Sequence, residues 1–163
     1  MKENILSIIK RKNTNFENLL NLSEISESEL TKVLEELVLE KKIFLNSSSK
    51  YEIMNEEYYV ATLDRNSKGV SFVNINNERI IIPPEELHTA LKYDTVVVEI
   101  THEAHGTVKG IIERKNNKLV CEVKAHNNKL VLVPFNGNCE IYLITPKELL
   151  KDYIINSLKK CLW

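Results

Sequence analysis

Residues 68–100 read KGVSFVNINNERIIIPPEELHTALKYDTVVVEI, and three β-prone runs dominate them: GVSFVNI, RIIIP and TVVVEI. Each run either alternates apolar with polar residues or is continuously β-branched, the patterns of a half-buried and a buried strand respectively. Working outward, YYVATL precedes them from Tyr58 and TVKGIIER follows them to Arg114, with turns at 64–68, 74–78, 83–94 and 101–106. Five short strands so closely spaced predict a small closed barrel, because closure removes the unpaired edges that open strands would present. The five-stranded form of this architecture is the oligonucleotide-binding barrel. PPEELHTAL, between the third and fourth runs, is expected to turn into a short helix with Pro84 near its N-terminus.

Upstream the periodicity is helical. Ile5, Leu6, Ile8 and Ile9 predict a first helix over residues 3–11, and Phe16, Leu19, Leu20 and Leu22 a short second one. Ser26 stands three residues before Glu29, the capping-box spacing, and opens a third helix that runs to about Lys41. Its apolar stripe is Leu30, Val33, Leu34, Leu37 and Val38, which leaves Lys32, Glu35, Glu36 and Glu40 toward solvent. KKIFLNSSSKYEIM then reads as a hairpin, with Ile43–Leu45 and Tyr51–Ile53 joined by Asn46 and three serines. Three helices and a hairpin predict a winged helix-turn-helix. Its third helix carries more carboxylates than amines and would be repelled by phosphate, so packing or protein contact suits it better than reading a DNA groove.

The predicted class is therefore α+β: a winged-helix domain over 1–56, a five-stranded OB-fold (cold-shock-like) barrel over 57–117, and a partial second β-unit over 118–163. The tail TPKELLKDYIINSLKKCLW is helical in period and is expected to close that unit as a helix; a truncated barrel there would favour self-association. A hydrophobic share of 43% and a charged share of 28% are those of a globular protein, and no apolar run is long enough to span a membrane. The N-terminus lacks a secretory pattern, so a cytoplasmic location is expected. Cys121, Cys139 and Cys161 fit neither a disulfide framework nor a zinc site. The formal net charge of -1 gives no global reason to expect nucleic acid, although the chain beyond residue 57 is slightly basic where the part before it is slightly acidic.

The order of these motifs resembles the N-terminal region of bacterial ribonuclease R, in the RNB exoribonuclease family. LTKVLEELVLEKKIF with NSSSKYEIM is similar to that family's winged helix, and KGVSFV to the first RNA-binding motif of its cold-shock barrel. RIIIPPEELHTALKYDTVVVEI and HGTVKGIIER resemble the strands that follow, and KLVCEVKAHNNKLVLVPFNGNCEIYLI the opening of a second barrel. The resemblance implies an RNA-binding module that positions RNA for a catalytic domain absent from this chain. It also implies magnesium only for that absent domain, and a C-terminal nuclease domain as a partner. The sequence departs from the pattern where bases would stack: Val70 stands for the motif's first aromatic, Ser71 for a glycine, and Ile81 for the second motif's aromatic. Each lost ring removes roughly 1–3 kcal/mol of stacking, so weak RNA affinity is expected.

The candidate RNA contacts are Phe72 and Tyr59 as platforms and Lys68, Arg79, Lys92 and Lys109 as phosphate partners. Lysines in turns are ordinarily just solvated, and a Phe in an alternating strand serves as core as readily as it does a base, so its orientation decides its role. No catalytic, cofactor or metal site is expected in this chain. Asp64, Asp94 and Asp152 lie in separate elements and cannot supply a magnesium-binding aspartate cluster, and His102 with His105 fall in a turn rather than on one helix face. The alternatives to an RNA module are a winged-helix DNA-binding transcriptional regulator and a protein-interaction or autoinhibitory module.

Overall fold

The computed structural model describes residues 1–115 throughout and the backbone of the strands at 118–126, 129–134, 143–144 and 159–162. The chain divides into two compact units, Met1–Arg114 and Lys115–Trp163. The class is α+β: three N-terminal helices followed by a mixed eight-stranded sheet in the first unit.

The helices are α1 (Lys2–Arg11), α2 (Phe16–Ser23) and α3 (Glu27–Leu39). Their boundaries follow local chemistry. Asn15 caps α2 by accepting from the Asn18 amide at 3.0 Å. At the start of α3 the Ser26 hydroxyl accepts from the Glu29 amide at 3.4 Å, while Glu29 accepts from the Ser26 amide at 3.2 Å, so the capping box anticipated from spacing is formed. The stripe Leu30, Val33, Leu34 and Leu37 is buried, packing with Ile5, Ile9, Leu19 and Ile43 into one core. Across its outer surface Lys2 reaches Glu36 at 2.8 Å and Glu40 at 2.6 Å, tying the first turn of α1 to the end of α3.

Next come β1 (Ile43–Asn46) and β2 (Tyr51–Ile53), paired antiparallel with Ile43 opposite Ile53 and Leu45 opposite Tyr51. The Asn46 side chain shapes their turn, accepting from the amides of Ser48 at 3.0 Å and Lys50 at 3.1 Å. Tyr51 donates to the Thr14 carbonyl at 2.8 Å, which pins the α1–α2 loop to the hairpin.

The remaining strands of this unit are β3 (Tyr58–Thr62), β4 (Asp64–Arg65), β5 (Ser71–Ile75), β6 (Glu78–Ile82), β7 (Thr95–His102) and β8 (His105–Glu113). Asn76 and Asn77, at φ 51° and 66°, make the tight turn between β5 and β6, a left-handed pair that asparagine tolerates better than most residues. PPEELHTAL supplies only one 3₁₀ turn, Pro84–Glu86. The sheet runs β2-β1-β8-β6-β5-β4, and β7 joins β8 to β3. All these pairings are antiparallel except β6 with β8, where Ile81 meets His105 in parallel. A second core of Leu63, Val73, Ile75, Ile80, Ile82, Leu87, Ala90, Val96, Val98 and Val108 fills the space between these strands.

β8 is the hub. Along one edge it pairs with β7, and along the other with β6 near its start and β1 near its end, where Leu45 faces Ile111 and Asn46 faces Gly110. Gly110 has no side chain for a steric reason: a Cβ there would lie 2.5 Å from both the Leu45 carbonyl oxygen and Phe44 Cδ2. Beyond it, Arg114 donates to the Thr89 carbonyl at 2.6 Å and reaches the fully buried Asp94 carboxylate at 3.1 Å.

In the second unit the described strands are β9 (Lys118–His126), β10 (Lys129–Pro134), β11 (Leu143–Ile144) and β12 (Lys159–Leu162), in the order β11-β10-β9-β12. The helix anticipated for the tail gives way at Lys159–Leu162. There the chain pairs antiparallel with Lys118–Cys121 and satisfies backbone groups along the edge of β9 that would otherwise lack partners. The earlier part of that expected helix lies outside the described residues. Among the described residues no helix is long and apolar enough to cross a membrane.

Two outcomes follow. Gly110→Val forces β1 off β8 and is expected to cost about 1–3 kcal/mol in denaturant unfolding, with faster amide exchange at Leu45 and Asn46. The Lys2 and then the Lys42 ammonium hold the Glu40 carboxyl at about 2, below its ordinary value. A depressed carboxylate stabilises fully above its unfolded pKa and loses that contribution as pH falls through the folded value, so the loss spans about pH 4.5 down to 2. NMR titration should find Glu40 protonating near the bottom of that window, and Lys2→Ala should move it upward.

Candidate nucleic-acid interface

Strand alternation sorts the residues of β5 onto two faces. Val73 and Ile75 point into the second core, which places Phe72 and Asn74 on the opposite side. The pairing register then puts Asp64 and Ile81 beside Phe72, and Arg79 beside Asn74. The Arg79 guanidinium reaches diagonally from β6 to β5 to sit 4.2 Å above the centre of the Phe72 ring. Phe72 lies outside that core cluster yet is only 6% exposed, with the exposed Arg79 over its ring. Arg79 therefore stands over a ring that has little exposure of its own.

Lys68 lies on the turn from β4 to β5. The Asn66 side chain organises this turn by accepting from the amides of Lys68 and Val70, both at 3.0 Å, and Gly69 adopts φ 82°. Arg65 fastens the same turn by donating to the Gly69 carbonyl at 2.9 Å. Lys68 is exposed, and among the described residues neither it nor Arg79 is paired with a carboxylate. Lys92 differs: its ammonium lies 3.4 Å from Asp64 and 4.8 Å from the centre of the Tyr93 ring. Tyr93 first, then Asp64, raises its pKa above the ordinary lysine value, so it is charged across the whole working range.

The structure thus brings Arg79 over Phe72, with Asp64 beside that ring in register and Lys92 paired to Asp64, while Lys68 is exposed on the turn that leads into β5. Lys109 and Tyr59 fall elsewhere. Lys109 is on β8, 3.1 Å from Glu99 of the neighbouring strand. Tyr59 packs against the interior cluster, so its ring is a wall of the core rather than a platform on this face. Its neighbour Tyr58 has the other orientation but is engaged edge-on by Phe44 at 5.4 Å and donates to Glu52 at 2.6 Å; burial and then that carboxylate push its phenol well above the ordinary value.

The sequence singles out Asp64 only as an isolated aspartate, not as a neighbour of Phe72, and does not single out Tyr93. Asp64 carries no motif and becomes relevant only because β4 pairs with β5, whereas Tyr93, 49% exposed at φ 74°, sits where the chain turns toward the buried Asp94. Of the aspartates weighed for magnesium, Asp64 faces Lys92, Asp94 accepts from the Leu91 amide and Arg114, and Asp152 lies outside the described residues. Among the described residues no group of three or more His, Cys, Asp or Glu side chains could hold a metal ion.

Arg79→Ala removes the cover from Phe72. The exposed cation–π contact is worth about 0.5–1 kcal/mol, so unfolding should shift by no more than that while the Phe72 ring resonances move sharply.

No protein-family model matches the chain. Over 84 residues, half of this chain, it is 34% identical to ribonuclease R of Thermotoga maritima, and the match covers 12% of that protein's length.

Proposed function

We propose that this chain is an RNA-binding module of the kind found at the amino end of ribonuclease R, with the outer face of β5 and β6 as its contact for unpaired bases. In this reading it positions RNA for a 3'-5' exoribonuclease catalytic domain lying outside the chain. The partial identity to the Thermotoga protein supports the assignment of module, and the Arg79–Phe72 stack carries the assignment of site.

The pairing pattern supports an OB-type barrel. β3 and β4 are one stretch of chain interrupted at Leu63; β4 pairs with β5, β5 with β6, β6 with β8, β8 with β7, and β7 with β3. Followed in that order, the ladders return to the segment they started from. OB barrels bind oligonucleotides across their second and third strands and the loops joining strands one to two and four to five. Here those are β5, β6, the turn bearing Lys68 and the turn at 103–104.

A single strand laid across this face would stack one base on the Arg79 guanidinium, which Phe72 backs, since arginine planes serve as stacking surfaces alongside aromatic rings. Lys68 would take a phosphate directly. Lys92 could do so only in competition with Asp64. One composite platform in place of several rings means weak, sequence-tolerant binding.

Fluorescence anisotropy with a short single-stranded RNA at low salt tests this. Arg79→Ala should weaken binding about tenfold, equivalent to ~1.4 kcal/mol, and Asp64→Asn should tighten it by freeing Lys92. Undetectable binding at low salt, or an Arg79→Ala variant that binds like the parent, overturns the proposal.

A further inference from the structure

Some of the cations of the first unit are neutralised within the fold. Lys2, Lys42, Lys92, Lys109 and Arg114 each lie within 3.4 Å of a carboxylate. Of the cations without an ion pair among the described residues, several lie in two places, while Lys10, Lys32 and Lys41 are in neither. One is the β5–β6 face. The other is a groove of about 580 Å³ between the end of α1, the α1–α2 loop and the β1–β2 turn, where Arg11, Lys12 and Lys50 meet the amide side chains of Asn4, Asn13 and Asn18.

No carboxylate lines this groove. The arrangement is fixed by backbone: the Tyr51 amide bonded to the Thr14 carbonyl holds Lys50, one residue earlier, against the loop that carries Lys12. Glu52, the acid closest in register, is turned away by bonds from the Tyr58 hydroxyl at 2.6 Å and the Asn46 amide group at 3.2 Å. Glu36 and Glu40 of α3 are drawn to Lys2 at the opposite end of α1. Arg11, Lys12 and Lys50 are all exposed, so their charge is available to a ligand.

We infer that this groove is a second nucleic-acid contact, binding the phosphodiester backbone of an RNA strand through Arg11, Lys12 and Lys50. The inference rests on the RNA-binding reading for its ligand, not for its site. Three cations from three separate segments suit a chain of spaced phosphates better than one compact anion. The asparagine amides, which both donate and accept, suit sugar hydroxyls and base edges, which an acidic peptide lacks. It also moves the contact of the helical part off α3, whose exposed face is acidic, and onto the α1–α2 side.

The test uses the full chain, a 12-nucleotide single-stranded RNA, and the triple variant Arg11→Ala, Lys12→Ala, Lys50→Ala, in which every altered side chain is exposed. If all three contact phosphate, the slope of log affinity against log salt should shrink by about 2, at about 0.7 per contact, and low-salt affinity should fall at least tenfold. Arg79→Ala, measured in parallel, separates the two readings. A defect in the triple variant alone supports the groove and counts against the β5–β6 face, whereas a defect in Arg79→Ala alone overturns the groove and leaves that face standing. Displacement of the RNA by inorganic phosphate at matched phosphate concentration, or equally tight binding of a poly-glutamate peptide, also overturns the inference.

Discussion

The contact on which the arrangement depends is the approach of β1 to β8 at Gly110. Two backbones meet there at a distance that a single methyl group would forbid. The pairing turns what would otherwise be a helical unit and a β unit joined by a short linker into one sheet of eight strands. Each neighbour of β8 needs a different part of it: β6 its start, β1 its end, β7 its whole length. At nine residues, β8 is about 30 Å long, enough to accommodate both partners on one edge without competition. The cost is a glycine in the middle of a strand, a position where it packs nothing and gives up more backbone freedom than any other residue.

A continuous sheet has a mechanical consequence for ligand binding. β2, which Lys50 immediately precedes, and Phe72, on β5, are connected through β1, β8 and β6 by strand pairing, not by a hinge. Four strand spacings of about 4.8 Å separate them, about 20 Å before twist. Contacts at both positions would therefore be made by a preorganised surface, with no ordering of a linker to offset the binding. A flexible connection between the two parts would instead let each find RNA separately.

Much of this was readable from the residues. The helices, the hairpin and the positions of the strands follow from periodicity and capping, because those signals are local: Ser26 and Glu29 are three residues apart and satisfy each other wherever α3 packs. The parallel meeting of Ile81 with His105, and the joining of β1 to β8, are not local, and nothing in the sequence near Leu45 announces a partner near residue 110. The tail shows the opposite failure. Its helical period was genuine as a pattern, yet Lys159–Leu162 pair with β9, since an available strand edge outweighs a propensity difference of a few tenths of a kcal/mol per residue. At the candidate site, residue type picked out Lys68, Phe72 and Arg79, but not that Arg79 would cover Phe72. That requires the register placing Asn74 opposite Arg79 and Phe72 opposite Ile81.

The covering of Phe72 bears on how the face should be understood. A bare aromatic ring on an outer strand face is a standing exposure of apolar surface, whereas a ring under a guanidinium has apolar area covered by an exposed cation. The two side chains thus form one layered contact, with Arg79 over Phe72. An arginine plane stacks and neutralises phosphate at once, two tasks that a ring and a separate lysine would otherwise divide. Substituting Lys for Arg79 would therefore keep the charge but lose the plane, so the identity of this residue matters more than its sign.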